Sequence, residues 1–181
     1  MDKNIAVESL TDTMAKFTAY IGKRLPKDVK RKLIELRTLE TNPLAKSIYD
    51  SMDENQEAAD RLNRPSCQDT GVIQYFVEAG ANFPLLGELQ DILREATEEA
   101  TRSGPLRHNA VETFDEKNTG TNTGTQIPWL DWRIVPDSDT CTIDVYMAGG
   151  GCTLPGAAKG PMPGQGYEGG AELVMDVITE R

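Results

Sequence analysis

The chain has 181 residues, 38% of them hydrophobic and 27% charged. That is room for one domain with a real core, and a composition outside both the membrane-protein and the disordered class. Nineteen basic residues against twenty-nine acidic ones give a formal charge of -10, which repels a phosphate backbone and disfavours nucleic acid as a partner. The same charge repels a small dicarboxylate, so an acidic substrate would need a local cluster of Arg, Lys or backbone N–H groups.

The first residues contain no seven-residue apolar run, so neither a secretory signal nor a membrane span is expected and a cytoplasmic protein is. Leu10, Met14, Phe17 and Ile21 are spaced to line one face of a first helix over residues 5–24, ended near Pro26. Val29, Leu33 and Leu36 repeat the pattern in a second. Asn42-Pro43 reads as an N-cap followed by proline at the first helical position of a third, which carries Leu44, Ile48, Met52 and Leu62. Residues 1–62 are thus a helical section, read as scaffold.

At Arg64-Pro65 the pattern changes. Residues 63–181 are expected to form an α+β section of the same domain. The polar segment Cys67-Gln68-Asp69-Thr70-Gly71 precedes an apolar run, Val72 to Val77, that predicts a strand. Leu86, Leu89, Leu93, Ala96 and Ala100 predict a helix stopped by Ser103-Gly104-Pro105. The run Asn118 to Gly124, rich in Asn, Thr and Gly, predicts a loop. Two strands follow, Trp129 to Val135 and Cys141 to Met147, joined across Pro136-Asp137-Ser138-Asp139; alternation in the second puts Cys141 on a buried face. Nine glycines and three prolines between Gly149 and Gly170 make a connection too long to be passive in a compact domain. Leu173, Val174, Val177 and Ile178 form a last helical stripe, and its abrupt end at Arg181 reads as a truncation.

Three segments carry polar chemistry. Cys67, Gln68 and Asp69 place a soft thiolate, an amide and a carboxylate in succession where a loop meets a strand; spacing alone favours a buried thiol and a turn aspartate over a site. Leu106-Arg107-His108-Asn109 follows a helix end, and its guanidinium suits two-point binding of a carboxylate. His108 is the single histidine, which rules out a multi-histidine metal site; it reads as flanking. Gly149-Gly150-Gly151-Cys152 follows a strand and frees backbone N–H groups to approach an anion. The ending required of a P-loop is missing, and no dinucleotide fingerprint occurs. The three cysteines, Cys67, Cys141 and Cys152, show no paired spacing; in a reducing compartment free thiols or metal ligands are favoured over disulfides.

Taken together, Cys67 to Gly71, Leu106 to Asn109, Asn118 to Gly124 and Gly149 to Gly151 resemble, in order, four motifs of the iron-sulfur hydro-lyases that include class I fumarate hydratase and tartrate dehydratase. The match runs from about residue 30 to the end. Pro84 to Gln90, Leu106 to Glu112, and Tyr146 to Gly156, with Cys152-Thr153 after the glycines, are similar to the tartrate branch.

The resemblance implies a hydro-lyase subunit that dehydrates a hydroxy-dicarboxylate, L(+)-tartrate to oxaloacetate, with a 4Fe-4S cluster held by three cysteines and acting as Lewis acid. Cys67 matches the first cluster ligand, while Gln68, Asp69, Arg107 and Gly150 match substrate-binding positions. The other two cysteine ligands are expected beyond Arg181. The proton-abstracting residue is expected in a separate beta subunit, so a hetero-oligomer is implied, and these 181 residues alone should be inactive. The alternatives are a fumarate hydratase, and a non-catalytic dicarboxylate-binding module that has lost the cluster.

Overall fold

The computed structural model describes residues 2–67, 69–104, 106–112, 114–149, 164 and 166–179. Residues 1–149 form one compact unit and residues 150–181 a second. The architecture is α+β, as the sequence predicts.

Three helices open the chain: α1 (Lys3–Ile21), α2 (Lys27–Leu39) and α3 (Pro43–Leu62). Helix α3 begins as its sequence dictates. The Asn42 side chain accepts from the Leu44 N–H at 2.9 Å, Pro43 occupies the first turn, and Asn63 ends the helix at φ 51° in the left-handed region. Helix α1 differs from expectation in which face it buries. Thr11, Met14, Ala15 and Thr18 are buried, whereas Phe17 is 45% exposed and Leu10 and Ile21 lie at the margin. The small side chains win because α1 packs closely on α4 (Leu89–Ser103). At Gly104, which caps α4, even a methyl group would come within 2.6 Å of the Ala19 Cβ.

Strands β1 (Val72–Gly80), β2 (Trp129–Val135) and β3 (Cys141–Ala148) form one sheet in the order β2-β1-β3. β1 pairs parallel to β2 and antiparallel to β3. The two later strands are therefore not neighbours, although their connection is short. It crosses the end of β1, where the Asn82 and Gly80 N–H groups donate to the Ser138 and Thr140 carbonyls at 2.9 and 2.8 Å. Gly80 permits the crossing, since a Cβ there would meet the Ser138 carbonyl oxygen at 2.1 Å.

The core lies between the sheet and the α1–α4 pair. Helix α4 buries Leu89, Ile92, Leu93, Ala96, Thr97, Ala100 and Thr101, an i, i+3, i+4 stripe continued over its whole length. These meet Ile73, Tyr75, Val77 and Ala79, every second residue of β1. Burial of each large aliphatic side chain contributes about 1.5–3 kcal/mol. The Tyr75 hydroxyl, fully buried, is bonded to Thr18 of α1 at 3.1 Å and Thr97 of α4 at 3.0 Å, which satisfies a polar group that would otherwise be costly there.

In the second unit, α5 (Gly166–Thr179) starts four residues before the predicted glycine-rich connection was to end, so Gly166, Gly169 and Gly170 are helical. Glu168 in its first turn complements the helix dipole. No described helix is long and apolar enough to cross a membrane.

Candidate functional site

The pairing of Val72 with Ala148 brings the start of β1 against the end of β3. The residues just outside that pair therefore meet. Gly71 lies at φ 76°, and a Cβ on it would fall 2.3 Å from the Ala148 carbonyl carbon; glycine is required both by the backbone conformation and by the contact. Gly149 lies against Asp69, where an added methyl would come within 3.2 Å of a carboxylate oxygen. The first and fourth motifs are thus in contact.

The second motif joins them from the end of α4. The Arg107 N–H donates to the Thr70 hydroxyl at 3.1 Å. The Asn109 side-chain amide lies 3.1 Å from Asp69 Oδ1, 3.3 Å from the Thr70 hydroxyl and 3.3 Å from the Gly71 carbonyl oxygen. Asp69 Oδ1 also accepts from the Gly71 N–H at 2.9 Å. The backbone of Arg107, an exposed residue, is thus tied through Thr70 to the segment whose Asp69 carboxylate is oriented by two hydrogen bonds.

The third motif lies behind the second. Asn118 donates to the His108 carbonyl at 2.5 Å, and Thr119 N–H to the Ala110 carbonyl at 3.0 Å. Asn122, 4% exposed and at φ 57°, accepts from the Asn109 and Ala110 N–H groups at 2.7 and 3.4 Å. It donates to the Arg107 carbonyl at 2.7 Å and to Thr101 at 3.2 Å. Thr123 ties the loop to Glu98 of α4 at 3.0 Å. Neither Asn109 nor Asn122 stood out in the sequence as a functional residue. The available signal was the repeated Asn-Thr-Gly, at Asn118 and again at Asn122, in a residue type that tolerates left-handed backbone.

Of the predicted site residues, Asp69 and Arg107 are brought together, and Gln68 and Gly150 lie outside the described residues. Cys67 is exposed two positions before Asp69. It lines, with Ser66, Leu25 and residues of α2 and α3 such as Leu33, Ile34, Tyr49 and Met52, a cavity of about 280 Å3. Neither Asp69, Arg107 nor Asn109 borders that cavity, so it is distinct from the polar cluster. An exposed thiol fits one corner of a metal cluster completed by groups from elsewhere. Among the described residues no three His, Cys, Asp or Glu side chains are grouped to hold a metal ion. Cys141 packs against the core on β3, and burial pushes its thiol up from the ordinary value, away from the thiolate form that binds metal. Cys152 lies outside the described residues.

The model of the fumarate hydratase (Fumerase) family matches residues 11–181. The chain belongs to that family. Its similarity extends to L(+)-tartrate dehydratase subunit alpha of Escherichia coli (strain K12), 56% identical over 178 residues, which cover 98% of this chain and 59% of the relative. The protein of the same name from Shigella boydii serotype 4 (strain Sb227) gives the same figures. A putative L(+)-tartrate dehydratase subunit alpha of Methanocaldococcus jannaschii is 30% identical over 162 residues, 86% of this chain and 55% of that protein. The chain thus spans less than two thirds of the length of these fumarate hydratase family relatives. The described residues of the first three motifs, and Gly149 of the fourth, are brought together at one end of the sheet.

Proposed function

We propose that the chain is part of a hydro-lyase subunit that removes water from a hydroxy-dicarboxylate, L(+)-tartrate giving oxaloacetate. The observation that carries this reading is the junction of Asp69, Gly71, Arg107, Asn109 and Gly149, joined from three separated stretches of chain. It is supported by 56% identity to a tartrate dehydratase alpha subunit. The family description favours a second reading, hydration of fumarate to malate, with the same kind of diacid in the same place.

In this reading the Arg107 guanidinium grips one substrate carboxylate with its forked N–H donors, supplying the local positive charge that a chain of charge -10 needs to hold a diacid. Asp69 and Gln68 orient the substrate beside it, and the backbone N–H at Gly150 meets a carboxylate oxygen. Cys67 holds one iron of a 4Fe-4S cluster, with two further cysteines supplied from outside these residues; when bound, the cluster supplies a Lewis acid for the departing hydroxyl group. Proton removal falls to a beta subunit in a hetero-oligomer.

The test uses the intact natural protein, reconstituted without oxygen and assayed on L(+)-tartrate and on fumarate. Turnover of tartrate with little of fumarate is expected. Cys67→Ser should lose both turnover and bound iron. Full iron content and unchanged turnover in that variant would falsify the assignment, and preference for fumarate would move the protein to the second reading.

A further inference from the structure

The backbone of Arg107 is fixed on both sides. Its N–H is held by Thr70 and its carbonyl by Asn122. Asn122 also holds two N–H groups further along, those of Asn109 and Ala110, beyond His108. A carboxamide has two acceptor and two donor positions, and Asn122 uses all four, the last on Thr101 of α4. The residue is buried, and its backbone is at φ 57°, a conformation that Asn and Gly accept and β-branched residues do not. Aspartate in its place would keep the two acceptors and lose both donors. No other common side chain of this length spans the gap with both kinds of group.

We infer that Asn122 is a positioning residue, which sets the direction in which Arg107 leaves the chain toward the substrate carboxylate. The inference rests on the reading of Arg107 as the carboxylate-binding group. A guanidinium on a four-bond stem can reach many places; a two-point grip needs the stem to start from one direction. The hydrogen bonds on both sides of the Arg107 peptide remove the backbone part of that freedom before the diacid arrives. Asn122 itself touches no substrate, and its effect passes through Arg107.

The test is a double-mutant cycle on the intact natural protein with its cluster assembled. The readouts are inhibition by succinate, a diacid without a hydroxyl to eliminate, and bound iron. Arg107→Ala should weaken succinate by a large factor. Asn122→Gly, which suits the backbone conformation, should weaken it by about tenfold when Arg107 is present and by less than about twofold in the Arg107→Ala background, the non-additivity of residues acting as one unit. Iron content should stay unchanged. Equal loss in both backgrounds, or no loss in either, would show that Asn122 only supports the fold and would overturn the inference. If Arg107→Ala leaves succinate inhibition intact, the carboxylate reading of Arg107 fails first and takes the inference with it. Should Asn122→Gly not accumulate, Asn122→Asp keeps the bonds to both N–H groups. It should then lose about threefold, again with Arg107 present, and an unchanged inhibition constant would refute the role.

Discussion

Helix α4 buries seven residues along one face, whereas α2, of similar length and also amphipathic, buries none. Its neighbour α3 buries Ala59 alone among its described residues, leaving Leu44 72% and Ile48 56% exposed. The hairpin of α2 and α3 is tied by an exposed ion pair, Arg37 to Asp50 at 2.5 Å, and Arg24, just before α2, pairs with Asp60 of α3 at 2.5 Å; such exposed pairs are screened by water and hold little. An apolar stripe reports that a helix has a face to cover. Whether anything covers it depends on what the topology places opposite, and here the sheet lies under α4 and α1.

The sharpest way to break this contrast is Leu93→Ala. Leu93 is fully buried between α4 and β1, so the substitution should cost about 2–5 kcal/mol, read as a lower urea midpoint with an unchanged slope. A loss below about 1 kcal/mol would mean that the core is less tightly packed than its burial indicates. Tyr75→Phe tests the polar bolt through the same layer, with an expected loss of about 1–2 kcal/mol.

The same bolt carries a pH signature. Burial raises the Tyr75 hydroxyl above its ordinary value of 10.0, with the bonds to Thr18 and Thr97 offsetting part of the rise. The folded state then holds this proton more tightly than the unfolded one. Its contribution is whole below pH 10 and is lost as pH rises from there through the raised value. Alkaline urea titrations should show that component in the parent protein and lack it in Tyr75→Phe. The smallest effect belongs to the hairpin. Leu44→Ser should change stability by no more than about 0.5 kcal/mol, and a core-sized loss would show that the face is covered in the intact natural protein.

Much of this was legible in the residues. Asn42-Pro43 and Ser103-Gly104 mark helix ends because their capping chemistry is local, β1 follows from its apolar run and β3 from short-range alternation. The buried face of α1 was misread because its choice depends on how closely α4 approaches, which no window within α1 contains. The separation of β2 from β3 was equally hidden, since it depends on β1 taking the place between them. At the site, Asp69 and Arg107 stood out by chemical type. Asn122 did not, because an Asn that clamps a distant backbone looks, in sequence, like an Asn that bends its own loop.

That the sheet's middle strand is the earliest made has a consequence for how the molecule assembles. Strand β1 is complete before either flanking partner exists, and no two strands of the sheet are linked by a tight hairpin. During synthesis, β1 must wait with both edges unpaired until Val135 has emerged and with one edge unpaired until Ala148 has, and such long-range closure is slow compared with local helix formation. The polar junction of Asp69, Asn109 and Gly149, built where β1 begins and β3 ends, is accordingly among the last places in residues 1–149 to take shape.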